Sequence, residues 1–259
     1  MNTALWHALG MGPRWVRRAA SAGAGAQAQA PFDVEVEGEG EAEAEVQADR
    51  SGSGDAAGRG ERWVALRAQV LSCTRCALAQ GRTQAVFEAG QRDARWMVVG
   101  EAPGAEEDAR GEPFVGQAGR LLDNMLGAIG LDRAGAQGEP VYIANVLKCR
   151  PPSNRNPAPE EVACCEPFLR RQIALVRPRI ILAMGRFAAQ SLLRTEAAVG
   201  TLRGSVHRLP GAEDGPPVLV TYHPAYLLRT PADKSRAWAD LCLARQVFAE
   251  SCGGDSPPP

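Results

Sequence analysis

The stretch "VVGEAPGAEEDARGEPFVGQAGRLLDNML", residues Val98 to Leu126, decides the fold. It begins as a hydrophobic run that stops at Gly100 and passes through two turns containing Pro and Gly. It ends as a helical pattern, with Leu121, Leu122, Met125, Leu126 and Ile129 on one face. Strand, loop, helix is the hand-over expected in a parallel α/β sheet. The loop carries Glu101, Glu106, Glu107 and Asp108 and one aromatic, Phe114. Ligands of such sheets bind outside the carboxyl ends of the strands, so this loop is the first place to seek a site.

The same pattern extends on both sides. "RWMVVG" (95–100), "VYIANVLKC" (141–149), "RIILAMG" (179–185) and "VLVTYHP" (218–224) are short runs rich in β-branched residues. Helical spacing appears in "ERWVALRAQVLS" (61–72) and over 119–129, 160–176, 187–194 and 232–250. Strands alternating with helices predict a parallel sheet covered on both faces. "GEAPG", "NVLKC" and "YHPAYLL" then stand together at the strand ends.

A hydrophobic content of 45% with only 5% aromatics suits an Ala/Val/Leu-rich α/β protein of 259 residues. No apolar run approaches the roughly 20 residues that span a bilayer. At the start, arginines follow the apolar part instead of preceding it, which is wrong for a secretory signal. A soluble, cytoplasmic protein is expected. Residues 1–60 hold five Arg against nine Asp and Glu, and the remainder is mildly basic, which permits phosphate binding without demanding it.

Residues 21–60 are rich in Ala, Gly and Ser and include "DVEVEGEGEAEAEVQAD", which has too little apolar surface to repay ordering. The expected division is a disordered extension over 1–60, a globular domain over 61–252 and a disordered tail over 253–259. Trp6 and Trp15 on the extension suggest a partner-docking peptide; a plain extension or start-site artefact is the alternative.

Seven cysteines cannot all pair as disulfides, and clustered cysteines in a cytoplasmic chain point to metal or catalysis. Cys73 and Cys76 form C-x2-C; Cys149 follows after 72 intervening residues, and Cys164 and Cys165 after 14 and 15 more. Four thiolates from two distant pairs suit zinc or an iron–sulfur cluster. The second pair lacks the tight knuckle of a zinc ribbon, which favours the cluster in a structural role.

"GEAPGAEEDARGEPFVGQAGRLLD", "NVLKCRPPSNRNPAPEE" and "HPAYLLR", taken with these cysteines, resemble the family 4 uracil-DNA glycosylases of bacteria and archaea. The resemblance runs from about Trp63 to Phe248. It implies a three-layer α/β/α sandwich around a four-stranded parallel sheet, in agreement with the four runs above. It also implies a 4Fe–4S cluster on Cys73, Cys76, Cys149 and, two residues before the "PF" pair, Cys165. No diffusible cofactor is expected, and the chain should act as a monomer on uracil-containing DNA, in association with the nucleoid.

Removing uracil breaks the bond between sugar C1′ and N1, so positive charge grows on the sugar and negative charge on the base. The site needs a plate for the flipped base, a reader of its edge, a donor to the anion and a carboxylate near the sugar. Phe114 is the expected plate and Asn145 the reader, giving N–H to uracil O4 and accepting from N3–H. His223 is the donor to O2. By the resemblance Glu101 lies near the sugar and Glu107 further along the loop, orienting water or crowding C5; the division of labour between them stays open. Gly100 and Ala102 complete the base-binding set, although family 1 enzymes have an aspartate where this chain has Ala102. Glu106 and Asp108 are expected to cap or solvate the turn. Leu227 resembles the wedge that fills the gap in the base stack and is expected to be exposed. Arg229 and its neighbours are placed to meet phosphates, and Gly185 either offers N–H groups to a phosphate or makes a tight turn. A non-catalytic metal-stapled DNA-binding module and an iron–sulfur electron carrier are the competing readings.

Overall fold

The period-2 alternation of the long strands decides the layering. In the computed structural model, which describes residues 56–252 apart from 213, the strands are β1 (Ala89–Gly90), β2 (Trp96–Gly100), β3 (Leu131–Asp132), β4 (Glu139–Asn145), β5 (Ile180–Met184), β6 (Val206–Arg208) and β7 (Pro217–Thr221). The helices are α1 (Ala56–Leu71), α2 (Leu78–Gly81), α3 (Ala105–Arg110), α4 (Gln117–Ala128), α5 (Pro159–Val176), α6 (Arg186–Leu193), α7 (Val199–Leu202), α8 (Pro224–Arg229) and α9 (Lys234–Cys252).

Met97, Val99, Tyr142, Ala144, Ile181, Ala183, Val218 and Val220 point to one side of the sheet, against α1, α5, α6 and α7. Their neighbours Trp96, Val98, Val141, Ile143, Ile180, Leu182 and Leu219 point to the other, against α4, α8 and α9. Because successive side chains of a strand face opposite ways, runs that are apolar throughout must be covered twice.

The strands lie in the order β1-β4-β2-β5-β7-β6. The central four, β4, β2, β5 and β7, are parallel, as the sequence predicts. Two short antiparallel edges, β1 on β4 and β6 on β7, extend them, and β3 pairs with β4 off the main order. The expected three-layer sandwich is therefore present, with edges of two or three residues that are too short to show periodicity.

One expectation is corrected at the start of the domain. Helix α1 begins at Ala56, inside the stretch read as tether, because Trp63, Leu66 and Val70 bury one helical face and the preceding turn continues it. The arm with Trp6 and Trp15, the acidic run and the tail 253–259 lie outside the described residues. Among the described residues no helix is long and apolar enough to cross a membrane.

Candidate active site

Asn145 is the last residue of β4 and sits in register with Gly100, the last residue of β2. Its side chain is buried, and Oδ1 has no hydrogen-bond partner. A starved amide oxygen in the interior costs on the order of 1–3 kcal/mol, which a ligand donor would recover. A Cβ on Gly100 would collide with this Oδ1 and stand 2.5 Å from Phe114 Cζ, so only glycine allows amide and ring to meet here.

Phe114 is held in the left-handed region at φ 56, which a bulky residue adopts only when its surroundings force it. Arg133 supplies part of the force, donating from Nη1 to the Pro113 carbonyl at 2.8 Å and from Nη2 to the Phe114 carbonyl at 2.9 Å. Its guanidinium is itself held by Asp123 and Glu112. Helix α4 presses on the same carbonyl, and a Cβ on Gly119 would overlap it. Phe114 is buried.

Glu107 closes the loop from within. Its Oε1 accepts the N–H groups of Val115 and Gly116 at 3.0 and 3.2 Å, and its Oε2 accepts that of Gly104 at 3.0 Å. Three backbone donors on one carboxylate make it a clamp between the start of α3 and the segment after Phe114. Asp108, expected to solvate the turn, is instead buried, and both its oxygens accept from the Thr83 N–H at 3.0 Å. The reason is helical geometry: Asp108 lies on the inner side of α3, whereas Glu106 points out and pairs loosely with Arg110.

Glu101 follows Gly100 directly, and the chain beyond β4 runs beside it, with the Leu147 N–H donating to the Glu101 carbonyl. Burial raises its carboxyl above the ordinary range, while Arg186 and Arg229 pull the other way.

His223 caps α8. Its Nδ1 accepts the Ala225 N–H at 3.1 Å, so in the neutral ring the proton sits on Nε2. Burial, with the Arg229 charge adding to it and Glu107 opposing, pulls the imidazole down to about 4. The ring stacks on Phe114 with centroids 5.4 Å apart. Gly185, with φ +87, donates its N–H to the Thr221 carbonyl, and a Cβ there would come 2.9 Å from His223 Cβ. The tight turn expected here is present. Thr221 is fixed in turn by Asp240, which Arg203 grips at 2.9 and 3.0 Å.

Leu227 departs from expectation. It is 1% exposed and packs with Leu121, Met125 and Leu241, because "PAYLLR" is a helix with Pro224 at its first position. That turn places residues 224 and 227 inward. Leu228, next along, is 42% exposed.

Cys149 and Cys165 are buried with Leu78 and Leu147, and Cys76 and Ala102 pack against them. Burial raises the thiols of Cys76, Cys149 and Cys165, the last to about 11, and neighbouring cysteines raise each further. Arg82 donates to Cys149 Sγ at 2.9 Å, and the Lys148 and Leu78 N–H groups meet the sulfurs of Cys165 and Cys76. Cys164 is half-buried, with its Sγ toward the Arg75 carbonyl. Among the described residues, no three His, Cys, Asp or Glu side chains converge tightly enough to hold a metal ion as they stand. The donor chemistry nonetheless fits a thiolate-bound group: four sulfurs in one neighbourhood, N–H donors aimed at them, and mutual repulsion that added positive charge would relieve.

Arg133, Lys148 and the Thr221–Asp240–Arg203 set escape a reading of the sequence. Only Lys148 leaves a signal there, as a charged residue inside the apolar run "YIANVLKC".

A parallel sheet clothed on both faces, with its special side chains gathered at the strand ends, defines an α/β protein whose candidate site lies at those ends. A family model described as the uracil DNA glycosylase superfamily matches residues 87–242, and the chain belongs to that superfamily. It is 42% identical over 193 residues to a type-4 uracil-DNA glycosylase of Archaeoglobus fulgidus, covering 73% of this chain and 92% of the relative. A type-4 uracil-DNA glycosylase of Thermotoga maritima is 41% identical over 179 residues, with 69% and 89% covered. A type-5 uracil-DNA glycosylase of Pyrobaculum aerophilum is 36% identical over 150 residues, with 53% and 64% covered.

Proposed function

We propose that this chain is a DNA-repair hydrolase that cuts uracil from DNA at the N-glycosidic bond and leaves an abasic site. The observation that carries the reading is the unpartnered Asn145 Oδ1 beside the Phe114 ring. Uracil offers an N3–H to that oxygen and an O4 to the amide N–H, whereas cytosine offers the reverse pattern.

The flipped base lies against Phe114 with its edge on Asn145. As the C1′–N1 bond lengthens, its electron pair moves onto the uracil ring. The Nε2–H of neutral His223 then hydrogen-bonds O2, where that charge gathers. Glu101 faces the sugar, favours its positive character and holds the water whose oxygen joins C1′. The water proton passes by way of Glu101 to solvent. Glu107 is assigned a positioning role, because its oxygens already serve the loop. Arg186 and Arg229 meet backbone phosphates. The buried Leu227 supports the helix, and its exposed neighbour Leu228 is the apolar group at the lip that enters the stack.

Cys73, Cys76, Cys149 and Cys165 would hold a 4Fe–4S cluster, with Cys165, buried beside Cys149, favoured over the half-buried Cys164. When bound, the cluster supplies cross-links that join the end of α1, the segment after β4 and α5. The N-terminal arm is assigned a repair or replication partner, and the enzyme is assigned to the cytoplasm, close to the nucleoid, as a monomer.

The test is incubation with a uracil-containing oligonucleotide without added cofactor, followed by alkali. Breakage at uracil, lost in Asn145→Asp and His223→Ala, is the expected result. Intact strands with tight DNA binding would favour the non-catalytic module.

A further inference from the structure

Lys148 is buried completely, yet it is three residues beyond the proposed reader and touches no solvent. Its Nζ donates to the Asn145 main-chain carbonyl at 2.6 Å and to Gln172 Oε1 at 2.5 Å. Gln172 passes the chain on, donating from Nε2 to the Tyr142 hydroxyl at 2.6 Å and to the Phe87 carbonyl at 2.9 Å. Gln172, Tyr142 and Phe87 are buried on the α5 side of the sheet.

The geometry around Asn145 gives the ammonium a specific consequence. The Asn145 carbonyl and the Val146 N–H belong to one peptide group. The N–H end of that group donates to the Gly100 carbonyl at 3.0 Å, and the C=O end receives Lys148. Asn145 is the last residue of β4, and its carbonyl lies where the ladder gives out. With both ends of the peptide plane held, the direction in which the Asn145 side chain leaves the strand is set relative to Gly100 and Phe114. An ammonium is costly to bury, and a methionine of similar length would fill the same space without that cost.

We infer that Lys148 is the positioning residue of the reader: by holding the Asn145 carbonyl, it fixes the peptide plane from which the base-reading amide projects. The inference rests on the proposal that Asn145 reads uracil. Main-chain N–H of the same residue meets the Cys165 sulfur, so the thiol group and the reader share one lysine as their common neighbour.

The experiment compares the full-length wild type with Lys148→Met and Gln172→Met on single-stranded oligonucleotides containing uracil or cytosine. The readouts are kcat, KM, inhibition by free uracil, thermal midpoint and iron content. Gln172→Met removes more hydrogen bonds than Lys148→Met but leaves the Asn145 carbonyl held, so a merely structural role predicts that it is at least as harmful. The expected result is a kcat for Lys148→Met lowered roughly 10- to 100-fold, the size of effect that a small misplacement of a catalytic group produces. Its KM for DNA should stay within about 3-fold, its inhibition by uracil weaken and its preference for uracil over cytosine narrow. Gln172→Met should keep near wild-type kcat and preference, with both variants melting earlier and holding their iron. Unchanged kcat and uracil inhibition in Lys148→Met would overturn the inference, as would equal losses in the two variants that track their melting. A wild type that leaves uracil in place would instead sink the glycosylase reading, and the inference with it.

Discussion

The rings of Phe114 and His223 stack with 5.4 Å between centroids and 26° between planes. One comes from the loop after β2 and the other from the end of β7, two strands away, so their contact measures whether the strand ends are correctly assembled. Gly100 lies beneath Phe114 and leaves no room for a side chain. Gly100→Ala should push either the ring or the Asn145 amide aside. A loss of stability of about 1–3 kcal/mol, typical of overpacking, is expected by denaturant titration. The fall in kcat should be larger than that loss suggests, at about 100-fold. Wild-type turnover in Gly100→Ala would show that ring and amide need not touch.

Protonation separates His223 from Glu101. With His223 held down at about 4 against its ordinary 6.5, the ring stays neutral and its Nε2–H available through mildly acidic pH. Glu101 moves the opposite way and takes up a proton at a pH above the usual carboxylate range. The acid limb of kcat/KM should therefore belong to Glu101 and flatten in Glu101→Gln, while the residual activity of His223→Gln keeps it. Folding linkage supplies a second readout. Between 6.5 and about 4 the unfolded chain binds a proton at His223 that the folded chain refuses, so stability falls as pH drops through that window. The effect is at most roughly 3 kcal/mol for a fully buried ring, and less for one partly accessible. His223→Gln should abolish that slope; a slope that survives the substitution would assign it elsewhere.

Glu107→Gln tests the clamp. An amide has one oxygen for the Val115 and Gly116 donors and turns an NH2 toward the Gly104 N–H, so one bond becomes a clash of donors. Arg133→Met removes the hold on the Phe114 carbonyl from the other side. Each should lower stability by about 1–3 kcal/mol and kcat by about 10-fold or more, with the shape of the pH profile unchanged. A profile that loses its acid limb in Glu107→Gln would return Glu107 to the chemistry.

The legible part of the fold is the part that repeats. Val98, Ile143, Leu182 and Leu219 belong to runs apolar on both faces, and such runs admit little except central parallel strands. The proposed reader, Asn145, is legible for a related reason: an asparagine amid "VYIANVL" demands a partner. Short or non-periodic features were not legible. Helix α3 is six residues, too few to show a stripe, so Asp108 looked like a solvated turn residue. Arg133 sits in "GLDRAGAQG", whose composition says only loop, and its two carbonyl partners are 20 and 19 residues back. Lys148 stands out only as a charge inside an apolar run, and its role needs Gln172 and the Asn145 carbonyl brought to it.

The misreading of Leu227 yields the last test. His-Pro-Ala-Tyr after a strand suggests an open loop, but Pro224 at the first helical position and His223 as cap start a turn at once. Leu227 then faces α4 and α9, and Leu228 faces solvent. The two leucines should separate stability from base extrusion. Leu227→Ala should cost about 2–5 kcal/mol, as buried leucines do, and lower activity on all substrates in proportion to the folded fraction. Leu228→Ala should leave the folding free energy within about 0.5 kcal/mol of wild type, as surface changes do. Its defect should fall on uracil in duplex DNA, where a base must be unpaired and its place filled, and spare single strands, where that energy is small. The measurement is the ratio of kcat/KM on duplex to that on single-stranded oligonucleotide. An unchanged ratio in Leu228→Ala, with a reduced ratio in a still-folded Leu227 variant such as Leu227→Met, would mean that α8 turns over on binding DNA and presents the buried leucine after all.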